Sequence, residues 1–127
     1  MDETLRVGRE LSEIQRVRAW MAGILSASPV APEQAADVLL MASELVTNVL
    51  RHTDSEPLVM VRIGSADVFV EVSDTDPAPP TRRSAQTDLL APGGWGLHVV
   101  QLLSSSWGVQ HHGAVGKTIW FRVHRRP

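Results

Sequence analysis

Apolar residues between Pro32 and His52 recur at three- and four-residue steps: Val38, Met41 or Ala42, Leu45 and Val49, with Leu39, Val46 and Leu50 beside them. That is helical periodicity, and a stripe this wide predicts a long helix buried against a sheet. Pro32 suits the first helical turn, and Glu33 favours the same positive end. Toward the other end, Glu44, Asn48 and His52 are each four apart. They therefore lie on one face, one above the other.

The other segments supply the sheet and the remaining helices. Leu5-Arg6-Val7 alternates and fits a short edge strand. Ile14, Val17, Met21 and Ile24 or Leu25 mark an earlier amphipathic helix ending at Ser26-Ala27-Ser28-Pro29, with Ser12 and Gln15 spaced for a capping box. Leu58–Ile63 and Val68–Val72 read as two strands joined by Gly64-Ser65-Ala66-Asp67, a hairpin that leads into Asp74. From Pro77 to Pro92 no period survives four prolines, so this is a long loop of the kind that forms lids or binding loops. Gly93-Gly94-Trp95-Gly96 then opens a helix carrying Leu97, Val99, Val100, Leu102 and Leu103. Trp107–His111 and Thr118–Val123 close the chain as a second hairpin around Gly113 and Gly116. The order β-α-α-β-β-loop-α-β-β predicts a two-layer α/β sandwich, helices on one face of a mixed, mostly antiparallel sheet, formed by residues 1–127 as one domain.

Composition narrows the function. A net charge of −2, with no basic run beyond Arg125-Arg126, argues against a nucleic-acid surface. With no cysteine there is no disulfide or thiolate metal site, and a reducing cytoplasm is the simplest setting. The acidic Met1-Asp2-Glu3-Thr4 start has no apolar signal core, and no apolar run approaches membrane-spanning length. His98, His111 and His112 lack the spacing of a zinc site. Eleven arginines stand against a single lysine, Lys117.

Four local features can carry chemistry, and each also has a structural explanation. Asn48 offers a neutral oxygen suited to Mg2+, and Glu44 can orient a water or hydroxyl nucleophile; the pair also fits a solvated polar stripe. Asp74, at a strand end, can accept from an exocyclic amine such as that of adenine, or serve a turn. Gly93-Gly94-Trp95-Gly96 can bring backbone N–H groups to a phosphate at a helix N-terminus, or act as a flexible connector. The Thr118 hydroxyl can meet a ligand, or Thr118 can simply favour the strand.

Taken in order, these features carry a resemblance. Glu44-Leu45-Val46-Thr47-Asn48-Val49-Leu50-Arg51-His52, Asp74, Gly94-Trp95-Gly96-Leu97 and Gly116-Lys117-Thr118 are similar to the motifs of the GHKL (Bergerat-fold) ATP-binding superfamily, shared by gyrase, heat-shock chaperones, histidine kinases and mismatch-repair ATPases. Within it the chain resembles the bacterial anti-sigma-factor serine kinases, in the single-domain form of actinomycetes, from about Leu5 to Val123. The resemblance implies ATP and Mg2+ as cofactors. It implies that Asn48 coordinates the metal, Glu44 is the catalytic base and Asp74 binds the adenine amino group. It also implies that Gly94, Gly96 and Leu97 form the phosphate motif, that Thr118 supports the adenine contact and that the lid runs from about 77 to 92. The implied partners are an anti-sigma-factor antagonist, phosphorylated on Ser or Thr, and a sigma factor, with a homodimer suggested by the family.

The chain departs from the family at Asp74-Thr75-Asp76-Pro77-Ala78, where the usual box is Asp-x-Gly-x-Gly. Asp76 and Ala78 narrow the space for a nucleotide, and Asp76 adds negative charge near its phosphates. Two functions follow: a Mg-ATP-dependent protein serine/threonine kinase regulating transcription by partner switching, or an ATP-binding, partner-binding regulator without turnover. Retention of Glu44 favours the first, and loss of the glycines favours the second.

Overall fold

The computed structural model describes residues 2–76 and 95–126; the expected lid at 77–92, and Gly94, lie outside the described residues. The described chain forms strand β1 (Asp2–Arg6), helices α1 (Glu13–Ala27) and α2 (Pro32–His52), strands β2 (Leu58–Ile63) and β3 (Asp67–Asp74), helix α3 (Trp95–Leu103), and strands β4 (Ser106–His111) and β5 (Lys117–His124). The five strands stand in the order β1-β2-β3-β5-β4. All four pairings are antiparallel, so the mostly antiparallel sheet that was expected carries no parallel pair among the described strands. Strand β5 returns from the edge strand β4 by a short turn and inserts between β4 and β3.

Side chains alternate across the sheet, so the register assigns its faces. Val61, Val70 and Phe121 stand side by side, as do Val59, Val72 and Ile119. Val59, Val61, Val68, Val70, Val72 and Phe121 are buried, and they form one core with Val38, Met41, Leu45, Val46 and Val49 of α2 and Val17, Met21 and Leu25 of α1. This is the two-layer sandwich that the wide stripe of α2 required. The opposite face bears a different chemistry: Phe69 and Trp120 stack with centroids 5.9 Å apart, and the Arg62 and Arg122 guanidinium groups lie 5.8 and 5.1 Å from the Phe69 ring centre.

The capping box expected from Ser12 and Gln15 does not form. Ser12 already has helical φ and ψ and makes no capping bond to the helix backbone. Glu13 takes the local role instead: its carboxylate accepts the Gly8 N–H at 2.8 Å and the Arg16 guanidinium at 2.8 and 2.9 Å. A carboxylate in the first turn also meets the positive end of the helix dipole.

The end of α2 is closed more firmly. Val49 O accepts from both the N–H and the hydroxyl of Thr53, at 3.0 and 2.8 Å. The Arg9 guanidinium donates to Leu50 O at 3.0 Å and Ser55 O at 2.9 Å. Carbonyls that a helix terminus would leave unpaired are thereby satisfied, and the last turns of α2 are held in place. Periodicity gave no sign of this role for Arg9, which lies in a loop.

Candidate functional site

The buried stripe of α2 fixes which side of the helix meets the sheet, and so sets where its polar row can lie. Glu44 and Asn48 are both partly buried, while His52 at the helix end is exposed. Asn48 Oδ1 is buried and has no hydrogen-bond partner among the described residues. Leaving such an oxygen unsatisfied costs about 1–3 kcal/mol. A neutral carbonyl oxygen, desolvated and unclaimed by any donor among the described residues, is a donor atom suited to a hard cation, so Asn48 fits a Mg2+ ligand.

Asp74 ends β3 on the helix-facing side of the sheet, two residues beyond Val72, and is 4% exposed. A buried carboxylate needs compensation. Its Oδ2 meets Lys117 Nζ at 2.6 Å, and its Oδ1 accepts the Asp76 N–H at 3.2 Å. Asp74 and Lys117 are direct partners across the β3–β5 ladder, so the two side chains stand on one face. The sequence assigned Lys117 no role of its own, although it stands within the Gly116-Lys117-Thr118 motif and is the chain's one lysine.

Thr118 is buried as well, but one residue further along β5 places its side chain on the other face of the sheet. There its hydroxyl lies 2.9 Å from Ser73 Oγ and 2.9 Å from His112 Nε2. Its side chain and that of Asp74 thus point to opposite sides of the sheet.

Gly96 and Leu97 lie in the first turn of α3, and Leu97 packs against the core. A polar depression of about 380 Å³, lined by Arg9, Arg51, His52, Thr53, Asp54 and Asp76, joins the end of α2 to the segment that follows Asp74. His52 from the polar row of α2 and Asp76, two residues beyond Asp74, share its lining; Glu44, Asn48 and Asp74 do not line it.

The histidine kinase-like ATPase domain model matches residues 8–123. Among solved structures, the RsbU and RsbW domains of Rv1364c from Mycobacterium tuberculosis superpose with a TM-score of 0.76 at 20% identity, covering 100% of this chain and 33% of that one. The SiaB-SiaC complex from Pseudomonas aeruginosa gives 0.66 at 16% identity, covering 96% of this chain and 89% of the matched one. Full-length ShkA in complex with AMPPNP gives 0.58 at 19% identity, covering 98% and 32%. No curated protein sequence matches the chain. At these identities the structural likenesses establish the fold, and the match over residues 8–123 establishes the family: the chain belongs to the histidine kinase-like ATPase domains.

Proposed function

We propose that the chain binds Mg-ATP and acts as an anti-sigma-factor-type protein serine/threonine kinase in the cytoplasm. The observation that supports this reading is Asn48 Oδ1, buried and without a hydrogen-bond partner among the described residues, on the helix that also bears Glu44. Asn48 would hold Mg2+ through that oxygen. The metal supplies charge neutralisation across the ATP phosphates, which lowers the barrier to γ-phosphoryl transfer. Asp74 accepts from the adenine amino group, while the backbone at Gly94, Gly96 and Leu97 meets phosphate at the start of α3. Thr118 supports Asp74 only indirectly, its hydroxyl bonding Ser73 on the other face and so holding β5 beside the end of β3. Glu44 accepts the proton of a serine or threonine hydroxyl on a docked protein.

The partners are an anti-sigma-factor antagonist as protein substrate and a sigma factor held directly, with the chain as a homodimer. A fold neighbour solved as a two-protein complex, SiaB-SiaC, supports a protein partner, and one solved with AMPPNP supports an ATP-like ligand on this fold. Titration with ATP, with and without Mg2+ and read by tryptophan fluorescence, tests the nucleotide. Absence of binding up to millimolar ATP defeats the proposal. Transfer of radiolabelled phosphate to candidate antagonists then tests the kinase. Asp76, standing where the family carries a glycine, favours a second reading, a nucleotide-binding regulator without turnover; binding with no transfer would select it.

A further inference from the structure

The Asp74–Lys117 pair puts an acceptor and a donor side by side on the helix-facing end of the sheet, 2.6 Å apart. Asp74 is almost completely buried, while the Lys117 side chain is 29% exposed, so the ammonium forms the outer half of the pair. Neither group is exhausted. A carboxylate has about four lone-pair sites, and here two donors reach it, Lys117 Nζ and the Asp76 N–H. An ammonium has three N–H donors, and one is directed at Asp74.

Backbone geometry holds the two side chains together. Asp74 and Lys117 are registered partners in the ladder, and Gly116, immediately before Lys117, packs directly on the Asp74 backbone. The pair is therefore set by the β3–β5 register and the turn that enters β5, with little dependence on a flexible lysine finding its partner. The Watson–Crick edge of adenine matches: the exocyclic N6 amine donates, and the neighbouring ring nitrogen N1 accepts.

We infer that Lys117 reads the base, donating to adenine N1 while Asp74 accepts from N6. This rests on the adenine-nucleotide reading of the site and deepens it by naming a second specificity residue. A hydrogen bond from a charged donor contributes about 10- to 100-fold in affinity, or about 1.4–2.7 kcal/mol. The alternative roles of the same contact differ in sign. A lysine that merely occupied Asp74 would compete with the base, and its removal would tighten binding. A lysine that only neutralised Asp74 would leave N1 unread.

The experiment compares ATP with 1-deaza-ATP, which keeps the N6 amine but lacks N1, on the wild-type chain, Lys117→Met and Lys117→Arg. The wild type should bind ATP about 10- to 100-fold more tightly than 1-deaza-ATP. Lys117→Met should lose most of that gap by weakening ATP alone, and Lys117→Arg should restore part of it. Equal affinity of the wild type for both nucleotides overturns the inference and leaves the ATP reading standing. Tighter ATP binding by Lys117→Met also overturns it, in favour of competition. A wild type that binds neither nucleotide defeats the adenine reading itself. Equal wild-type affinities overturn the inference even if Lys117→Met prevents folding, and Lys117→Arg, which keeps the charge beside Asp74, then assigns any gap by narrowing it.

Discussion

Gly116 lies so close against Asp74 that a Cβ at Gly116 would overlap the Asp74 carbonyl oxygen, and its φ of +113° is one that L side chains rarely adopt. The turn that enters β5 is thus shaped by the backbone beneath the candidate base-reading carboxylate. Gly116→Ala should lower stability by about 1–3 kcal/mol from the backbone conformation alone, with the overlap adding to it. The urea midpoint should fall without a change in slope, and ATP affinity should fall with it as β3 and β5 separate. A variant with the wild-type midpoint would show that the turn can relax away from Asp74.

Acid stability should depend on Glu13. The hydrogen bond from Arg16, and then that from the Gly8 N–H, hold its carboxyl at about 2, against an ordinary value of 4.5. A carboxyl depressed in the folded state stabilises the fold fully above its unfolded pKa, and that contribution disappears as pH falls through the folded value. The window is therefore about pH 4.5 down to about 2. Asp2, lowered by its hydrogen bond to Arg62, acts in the same direction. Glu13→Gln should flatten the decline in urea midpoint across this window, and equal slopes for variant and wild type would contradict the assignment.

Most of the fold was legible because its strongest signals are periodic. The α2 stripe, the β2–β3 hairpin and the start of α2 at Pro32 all follow from spacing. What was not legible depends on where strands go in space. The insertion of β5 between β3 and β4 makes the sheet wholly antiparallel and places Lys117 against Asp74, two residues 43 positions apart. The same register turns the Thr118 side chain away from Asp74, which a motif read along the chain does not reveal. Ser12 misled because the first N–H groups of α1 find backbone acceptors instead of a hydroxyl: Glu13 N–H donates to Glu10 O and Ile14 N–H to Leu11 O.

Asp74→Asn separates charge from shape. The substitution keeps an acceptor but leaves the Lys117 ammonium without a counter-charge. Because Lys117 is 29% exposed, it can turn toward water, so the fold should survive with a loss of about 1–2 kcal/mol. ATP affinity should fall about tenfold or more, since an amide oxygen accepts more weakly than a carboxylate. Calorimetric titration checks this, and unchanged affinity with intact folding would exclude Asp74 from the base contact.

Asn48 and Glu44 should fail in different ways. Asn48 Oδ1 is buried without a partner among the described residues, so an apolar side chain of similar size removes a desolvation cost. Asn48→Leu should therefore leave stability unchanged or raise it by about 1 kcal/mol, while abolishing the Mg2+ dependence of ATP binding. That combination is expected of a residue kept for a ligand at some expense to the fold. Glu44→Gln should bind Mg-ATP like the wild type but reduce phosphoryl transfer by about 100-fold or more, the range of a removed general base. Destabilisation by Asn48→Leu would mean that its amide serves the fold rather than a metal. Undiminished transfer by Glu44→Gln would mean that positioning alone carries the reaction and that Glu44 is not its base.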